Sequence, residues 1–298
     1  MSLFEVGTTG YGLMGLTWCP DPIPHERAFE IMRTALAKGM NFWNGGEFYG
    51  TPENNSMTLL DAYFAKYPED ADKVVLSIKG CYGPNGLDGS AEGVRRSIDN
   101  VLRQLNGRKK LDVFECARRD PNVPMEVTFR AMQEYIDKGL LGGISLSEVA
   151  ASTIHEAVKH AKIVAVEAEL SIFCPEVLTN GVSSRVRAAD IPPLIQRFPR
   201  FSPENFPNNL QLFNHVNELA RRRGCTPAQL ALAWTRNLSR RPSMPTIIPI
   251  PGSTDASRVA ENAVEIELTD AEMDATDEIL AKFEAKGDRY PKEVPVNT

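Results

Sequence analysis

Apolar residues along this chain recur in two alternating patterns. Short runs rich in β-branched and aromatic residues predict strands: 12–18 (GLMGLTW), 41–44, 74–79 (VVLSIK), 111–117 (LDVFECA), 142–147 (GGISLS), 163–169 (IVAVEAE) and 246–251 (TIIPIP). Between them, apolar positions return every three or four residues. Residues 25–38 place Phe29, Met32 and Leu36 on one helical face, with Pro24 before and Gly39 after. The same period predicts helices over 57–65, 91–105, 125–138, 152–160, 210–223, 228–236 and 270–285.

Strand–helix repetition implies a parallel sheet, which fits either a barrel or a doubly wound sheet. A length of 298 residues and at least seven countable strands favour a (β/α)8 TIM barrel, one domain over 1–298, with its active site at the carboxyl ends of the strands. One unit is absent from the pattern. After NGV (180–182), where the barrel needs another helix and strand, the segment SSRVRAADIPP (183–193) is rich in Pro and Arg. The seventh strand region is missing from this sequence.

Composition narrows the function classes. The chain is 42% hydrophobic and 24% charged, with mixed signs, as globular proteins are. A net charge of −6 excludes a basic nucleic-acid footprint, and no apolar run approaches the roughly 20 residues of a membrane span. The start, MSLFEVGTTG, lacks the charged-then-apolar order of a secretory signal. Cys19, Cys81, Cys116, Cys174 and Cys225 are odd in number, with no CxxC pair. Free thiols in a reducing cytoplasm are expected, and no metal site. All four histidines fall in predicted helices, away from the strand ends, which disfavours a His-based nucleophile or metal mechanism. Nothing in the pattern fixes an oligomeric state.

Three motifs carry candidate chemistry. Residues 10–15 satisfy GxGxxG, but the prolines of the following TWCPDPIP exclude an immediate helix, so the glycines read as a strand and turn rather than a dinucleotide fingerprint. In IPGSTDASRVAEN (250–262) a small-residue loop of Gly252, Ser253 and Thr254 leads into a helix. That is either a phosphate-binding helix start, aided by Arg258, or a plain corner. Tyr49 follows the second strand in NFWNGGEFYG and Lys79 ends the third. Side by side in a barrel, an ammonium would lower the phenol's pKa and make it a proton donor to a carbonyl oxygen; the alternative is a structural Tyr and a surface Lys.

Together GYGLMGLTW, NFWNGGEFYG, VVLSIKG, FECARRDP, GGISLSE, AVEAELSIF and PIPGSTDASRVAEN resemble the aldo-keto reductases over nearly the whole chain. The phrases MGLTW, NGGEFYG and GGISLSE look most like the family's fungal pyridoxal reductases. The resemblance implies NADPH as cofactor and a small-molecule aldehyde as substrate, with Tyr49, Lys79 and position 44 catalytic. Position 44 is Asn where the family usually has Asp, and Ala117 stands where His is frequent. Ser147 and Glu148 match the pair that contacts the nicotinamide carboxamide, and Glu167 stands where Gln is usual. Gly252, Ser253, Thr254, Arg258, Glu261 and Asn262 match the stretch that holds the 2′-phosphate and adenine, while Asp255 replaces a frequent Lys. The resemblance implies that Trp18, Ala117 and Arg118 line the substrate pocket.

The expected reaction is reduction of an aldehyde, pyridoxal to pyridoxine, with Tyr49 as proton donor. Strand alternation puts Glu115 on the face of Ala117, where it could supply the charge that Asn44 lacks. Other relatives bind NADPH as regulatory subunits of potassium channels with little catalysis, and a barrel that has lost its cofactor with the missing strand is a third reading.

Overall fold

The apolar runs of the first half assemble into one parallel sheet. The structure is a computed structural model that describes residues 4–170, 172, 198–288 and 291. Its strands are β1 (Tyr11–Gly12), β2 (Phe42–Gly46), β3 (Val75–Gly80), the hairpin pair β4 (Tyr82–Gly83) and β5 (Gly86–Leu87), β6 (Leu111–Cys116), β7 (Leu141–Ser147) and β8 (Ile163–Glu167). The sheet runs β1-β2-β3-β6-β7-β8, every pair parallel, with the β4–β5 hairpin outside it. The crossovers are α1 (Met14–Thr17), α2 (His25–Ala37), α3 (Ser56–Lys66), α4 (Ala91–Leu105), α5 (Met125–Asp137) and α6 (Ala151–Ala157).

These helices start and stop where side chains can satisfy loose backbone groups. Asn55 forms a capping box with Thr58 at the start of α3. Ser90 Oγ accepts the Gly93 N–H at the start of α4, and Asn106 closes that helix in the left-handed region (φ 52°). The sheet's helix-facing side is apolar: Trp43 is fully buried, its ring 5.2 Å from that of Tyr63 and 6.1 Å from that of Phe64. The opposite side is not. In-register pairing sets Gly46 beside Lys79 and Lys79 beside Glu115, so one face carries buried charge at the carboxyl ends of its strands.

This sheet and its helices, with residues 252–256, form one compact unit; the described residues of 169–251 and 257–295 form a second. The second contains α7 (Phe206–Arg223), α8 (Pro227–Asn237) and α10 (Asp270–Lys282), while α9 (Ala256–Asn262) begins at its border. Phe206, Phe213, Val216, Trp234, Leu268 and Met273 anchor its core. Capping boxes at Thr226–Gln229 and Thr269–Glu272 fix the starts of α8 and α10. Among the described residues no helix is long and apolar enough to cross a membrane.

Three expectations are corrected. Residues 12–18 are not a strand: only Tyr11 and Gly12 pair with β2, and the chain then turns into α1, a single helical turn ahead of the prolines that were expected to forbid one. Residues 246–251 form no ladder among the described residues, where the nearest pairing is the isolated bridge from Gly12 to Gly252. Pro245, Pro249 and Pro251 withhold the N–H groups a ladder needs. His160 lies just beyond α6 rather than within it. Among the described residues the parallel sheet has six strands. Cys174 and the segment 183–193, where the seventh strand was expected, lie outside the described residues.

Trp43→Ala is expected to lower unfolding free energy by about 3–5 kcal/mol, whereas Trp18→Ala, at a side chain 48% exposed, is expected to lower it by under ~1 kcal/mol. Urea denaturation of both variants checks this, and equal losses would refute the core assignment.

Candidate active site

The loop after β2 brings Tyr49 over the end of the sheet. Its carbonyl accepts from Thr17 Oγ1 at 2.8 Å and from the Ser56 N–H at 3.1 Å, which ties the loop to α1 and to the start of α3. The ring lies against Gly46, where an added Cβ would sit 2.8 Å from ring carbons. Trp18 stacks on the same ring at 5.2 Å, and Phe48 meets it edge-on at 5.0 Å. Tyr82 of the hairpin packs on Phe48. The phenol is therefore buried among aromatics.

Beneath it lies Lys79, 5% exposed, its Nζ 6.0 Å from the Tyr49 ring centre. The ammonium donates to Asn44 Oδ1 at 2.9 Å and to Glu167 Oε1 at 2.5 Å. Asn44 Nδ2 in turn donates to Glu167 Oε2 at 2.7 Å. Glu115, fully buried, places Oε1 3.3 Å from Lys79 Nζ, and its other oxygen accepts from Ser145 Oγ at 2.7 Å. Three strands, β2, β6 and β8, thus converge on a cation carried by β3.

Environment separates the two carboxyls. Burial, then the nearby Glu167 charge, pushes the Glu115 carboxyl up to about 8 despite Lys79. Burial would also raise Glu167, but the Lys79 charge and hydrogen bonds from Glu115, Lys79 and Asn44 outweigh it and hold Glu167 below the usual carboxylate range. The charge that balances Lys79 at neutral pH is therefore on Glu167. The expectation that Glu115 supplies it is corrected: Glu115 is fully buried with too little donor contact to stay ionised. Lys79 is held above its ordinary value, because Glu167, Tyr49 and Glu115 together overcome the desolvation that opposes its charge. Tyr49 also differs from expectation. Lys79 pulls the phenol down, but desolvation is larger and the net shift is upward.

A second cluster holds the Tyr49 loop from behind. The Glu47 N–H donates to the Lys79 carbonyl at 2.8 Å, and the Glu47 carboxylate accepts from Ser97 Oγ and, at 2.6 Å, from Asn100 Nδ2, both on α4. Ser97 Oγ accepts the N–H of Cys81 at 2.9 Å, and Cys81 itself sits in the left-handed region (φ 59°). Sequence reading passed over Glu47, Ser97 and Asn100. The signal was in the sequence, since Ser97 and Asn100 fall three apart on one face of a helix.

The remaining expected residues are placed as follows. Ser147 ends β7, 2% exposed, and its Oγ has no hydrogen-bond partner among the described residues. Glu148 follows at φ 53° with its N–H on the Glu167 carbonyl at 2.8 Å. Ala117 is buried, with its N–H on the Gly80 carbonyl, and Arg118 donates back to the Ala117 carbonyl at 2.6 Å. Gly252 packs on Gly12, Tyr11 Oη donates to the Ser253 carbonyl at 2.7 Å, and Thr254 lies by Gly15. Ser253 Oγ accepts the Asp255 N–H, which removes one donor from the loop. Arg258, Glu261 and Asn262 all lie on α9. There Glu261 accepts from Thr226 Oγ1 at 2.5 Å, and Asn262 Nδ2 is buried without a partner among the described residues.

Comparison with known proteins decides the family. The model of the aldo/keto reductase family matches residues 8–281. The chain belongs to the aldo/keto reductase family. It is accordingly an oxidoreductase. It is 37% identical to probable pyridoxal reductase 2 of Schizosaccharomyces pombe, over 98% of this chain and 96% of that protein. It is 34% identical to a putative pyridoxal reductase of Saccharomyces cerevisiae, over 95% of each. Among solved structures, a glycerol dehydrogenase from Gluconobacter oxydans superposes with a TM-score of 0.77 at 17% identity, covering 98% of this chain and 96% of the other. A thermostable aldo-keto reductase superposes at 0.68 and 21%, covering 93% and 96%.

Glu115 gives stability a pH dependence of known sign. Its folded value is raised from 4.5 to about 8. Between those values the unfolded chain loses the proton and the native protein keeps it, so stability falls as pH rises through that window. Glu167 acts oppositely, and its contribution is lost only as pH falls below the normal carboxylate range. Glu115→Gln is expected to lose less stability than the wild type between about pH 5 and 8, by at least ~1 kcal/mol. Urea midpoints at the two pH values measure it, and parallel losses in both proteins would refute an elevated Glu115.

Proposed function

We propose that this protein reduces an aldehyde, with pyridoxal to pyridoxine as the reaction and NADPH as the electron source. The observation that carries the reading is the buried ammonium of Lys79 beside the Tyr49 phenol, with a carboxylate on the same sheet face balancing it. Such a cation stabilises the phenolate left when Tyr49 gives its proton to a carbonyl oxygen. The names of the relatives support pyridoxal, and Ala117 in place of an imidazole leaves room for a substituted ring. Trp18, Ala117 and Arg118 are the proposed walls for it. A single barrel domain over 1–298 in the cytoplasm fits the same reading, with the seventh strand region reduced. The stretch aligned with the S. pombe relative, 325 residues, exceeds the 298 of this chain, so the relative carries residues that this chain lacks.

The residues of the expected cofactor stretch fit a nicotinamide cofactor. Ser147 Oγ is a buried polar atom without a protein partner, as a contact to a carboxamide would leave it in a ligand-free chain. Asn262 Nδ2 is likewise buried and unpartnered, which suits an adenine contact. Glu148, Glu167, Gly252, Ser253, Thr254, Arg258 and Glu261 complete the proposed set. When bound, the nicotinamide supplies the hydride. The chain's own part is to orient the aldehyde, keep water from Tyr49 and stabilise the phenolate.

The regulatory-subunit reading draws its support from two altered catalytic positions, Asn44 and Ala117. Glu167 weakens that support, because Asn44 here positions a carboxylate instead of being one. The resemblance expects Asp at 44 and Gln at 167, and the two groups have traded places around Lys79.

Tyr49→Phe is expected to reduce kcat with pyridoxal by at least about 10²-fold, while fluorescence titration still shows NADPH binding. Unchanged turnover would remove Tyr49 as proton donor. For the exchange, Asn44→Asp alone adds a second carboxylate to Lys79 and is expected to lower kcat by about tenfold or more, and Asn44→Asp combined with Glu167→Gln to recover most of it. Steady-state kinetics of both variants checks this, and additive losses would sink the exchange.

A further inference from the structure

Glu115 takes no part in the steps above, although it is the most deeply buried carboxyl around Lys79. Its Oε1 has no hydrogen-bond donor among the described residues, and Lys79 Nζ at 3.3 Å is out of alignment for one. A fully buried carboxylate oxygen without a donor is costly. Protonation resolves it, because an acid O–H at Oε1 becomes a donor beside the Glu167 carboxylate, which is bound to the same Lys79 ammonium. The remaining Glu115 oxygen already accepts from Ser145 Oγ. Two carboxyls facing one ammonium therefore hold a single proton, as like charges at close range require.

We propose that Glu115 stores this proton and returns it to Tyr49 through Lys79 after each reduction, with Glu167 as the point where solvent refills the store. The proposal rests on the carbonyl-reductase reading above. Exposure assigns the two roles: the Glu167 side chain is 29% exposed, that of Glu115 0%. Groups facing the pair are Lys79 from β3, Asn44 from β2, Ser145 from β7 and Tyr49 from its loop, with the Cys116 thiol at the end of the same strand.

The protons balance. When the Tyr49 O–H bond breaks, the alcohol O–H forms and a phenolate remains. The phenolate takes one N–H proton from Lys79. The resulting amine takes the O–H proton of Glu115, which becomes a carboxylate. Solvent then returns one proton through Glu167. No electrons move in this sequence, and its net effect is the one proton that each aldehyde consumes. Glu115 is a positioning residue in this scheme, since it touches neither substrate nor cofactor.

Infrared spectroscopy of the full chain tests the shared proton without turnover. The carbonyl stretch of a protonated carboxylic acid is expected in the wild type and in Tyr49→Phe at neutral pH, to fade as pH rises through about 8, and to be absent from Glu115→Gln. That amide mimics the neutral acid in shape and donor, so folding and NADPH binding should persist. The pH profile of kcat then tests the store. Wild-type kcat should fall above the same pH, and Glu115→Gln should lose that limb and at least about tenfold in kcat at pH 7. A missing band in the wild type, or an unchanged profile in Glu115→Gln, overturns the proposal. A wild type that shows the band yet reduces no aldehyde overturns the functional reading and the relay with it, and leaves the shared proton standing.

Discussion

A buried ammonium sets the terms for the rest of this site. Lys79 sits at the carboxyl end of β3, with almost no water to solvate it. An ion of that size cannot remain charged in such surroundings without an opposite charge and a full set of acceptors. The fold meets this by bringing side chains from β2, β6 and β8 to one point, and register sets their heights. The polar face of an otherwise apolar sheet exists to serve one cation.

Within that constraint the location of the negative charge is negotiable. Lys79 needs a carboxylate, but its own strand does not determine which neighbour carries it. Here β8 supplies the carboxylate and β2 the amide that orients it. The amide is well suited to this role, because it accepts from the ammonium with one atom and donates to the carboxylate with the other. An Asp at 44 could accept from Lys79 but could not donate to Glu167.

Local signals were legible in the sequence where local chemistry determines structure. Helix α4 runs over Ala91–Leu105, the span its periodicity predicts, because Ser90 caps one end and Asn106 the other. The strand–helix order of the first half, and the placement of Tyr49 and Lys79 on adjacent strand ends, were legible for the same reason. Residues 12–18 and 246–251 were misread because an apolar run does not reveal whether a neighbour offers a ladder. The partner of Lys79 was misassigned for a related reason. Glu115 lies two positions from Ala117 and strand alternation found it, whereas Asn44 and Glu167 meet across 123 positions of sequence. Deciding which of two neighbouring acids, one buried and one partly exposed, is ionised requires distances and exposures, which no single chain pattern contains.

The Glu47 contacts have a consequence for motion. Tyr49 lies on a stretch that would move freely on nanoseconds if it were an ordinary surface loop. Instead Glu47 is fastened to Ser97 and Asn100 of α4 and, through its own N–H, to the carbonyl of Lys79. Ser97 also holds the chain just after Lys79 through the Cys81 N–H. Phenol and ammonium are thus moored to the same turn of helix and shift together when α4 shifts. The separation between them is insulated from breathing of the sheet edges, and fluctuations that would otherwise detune the pair become rigid displacements of both.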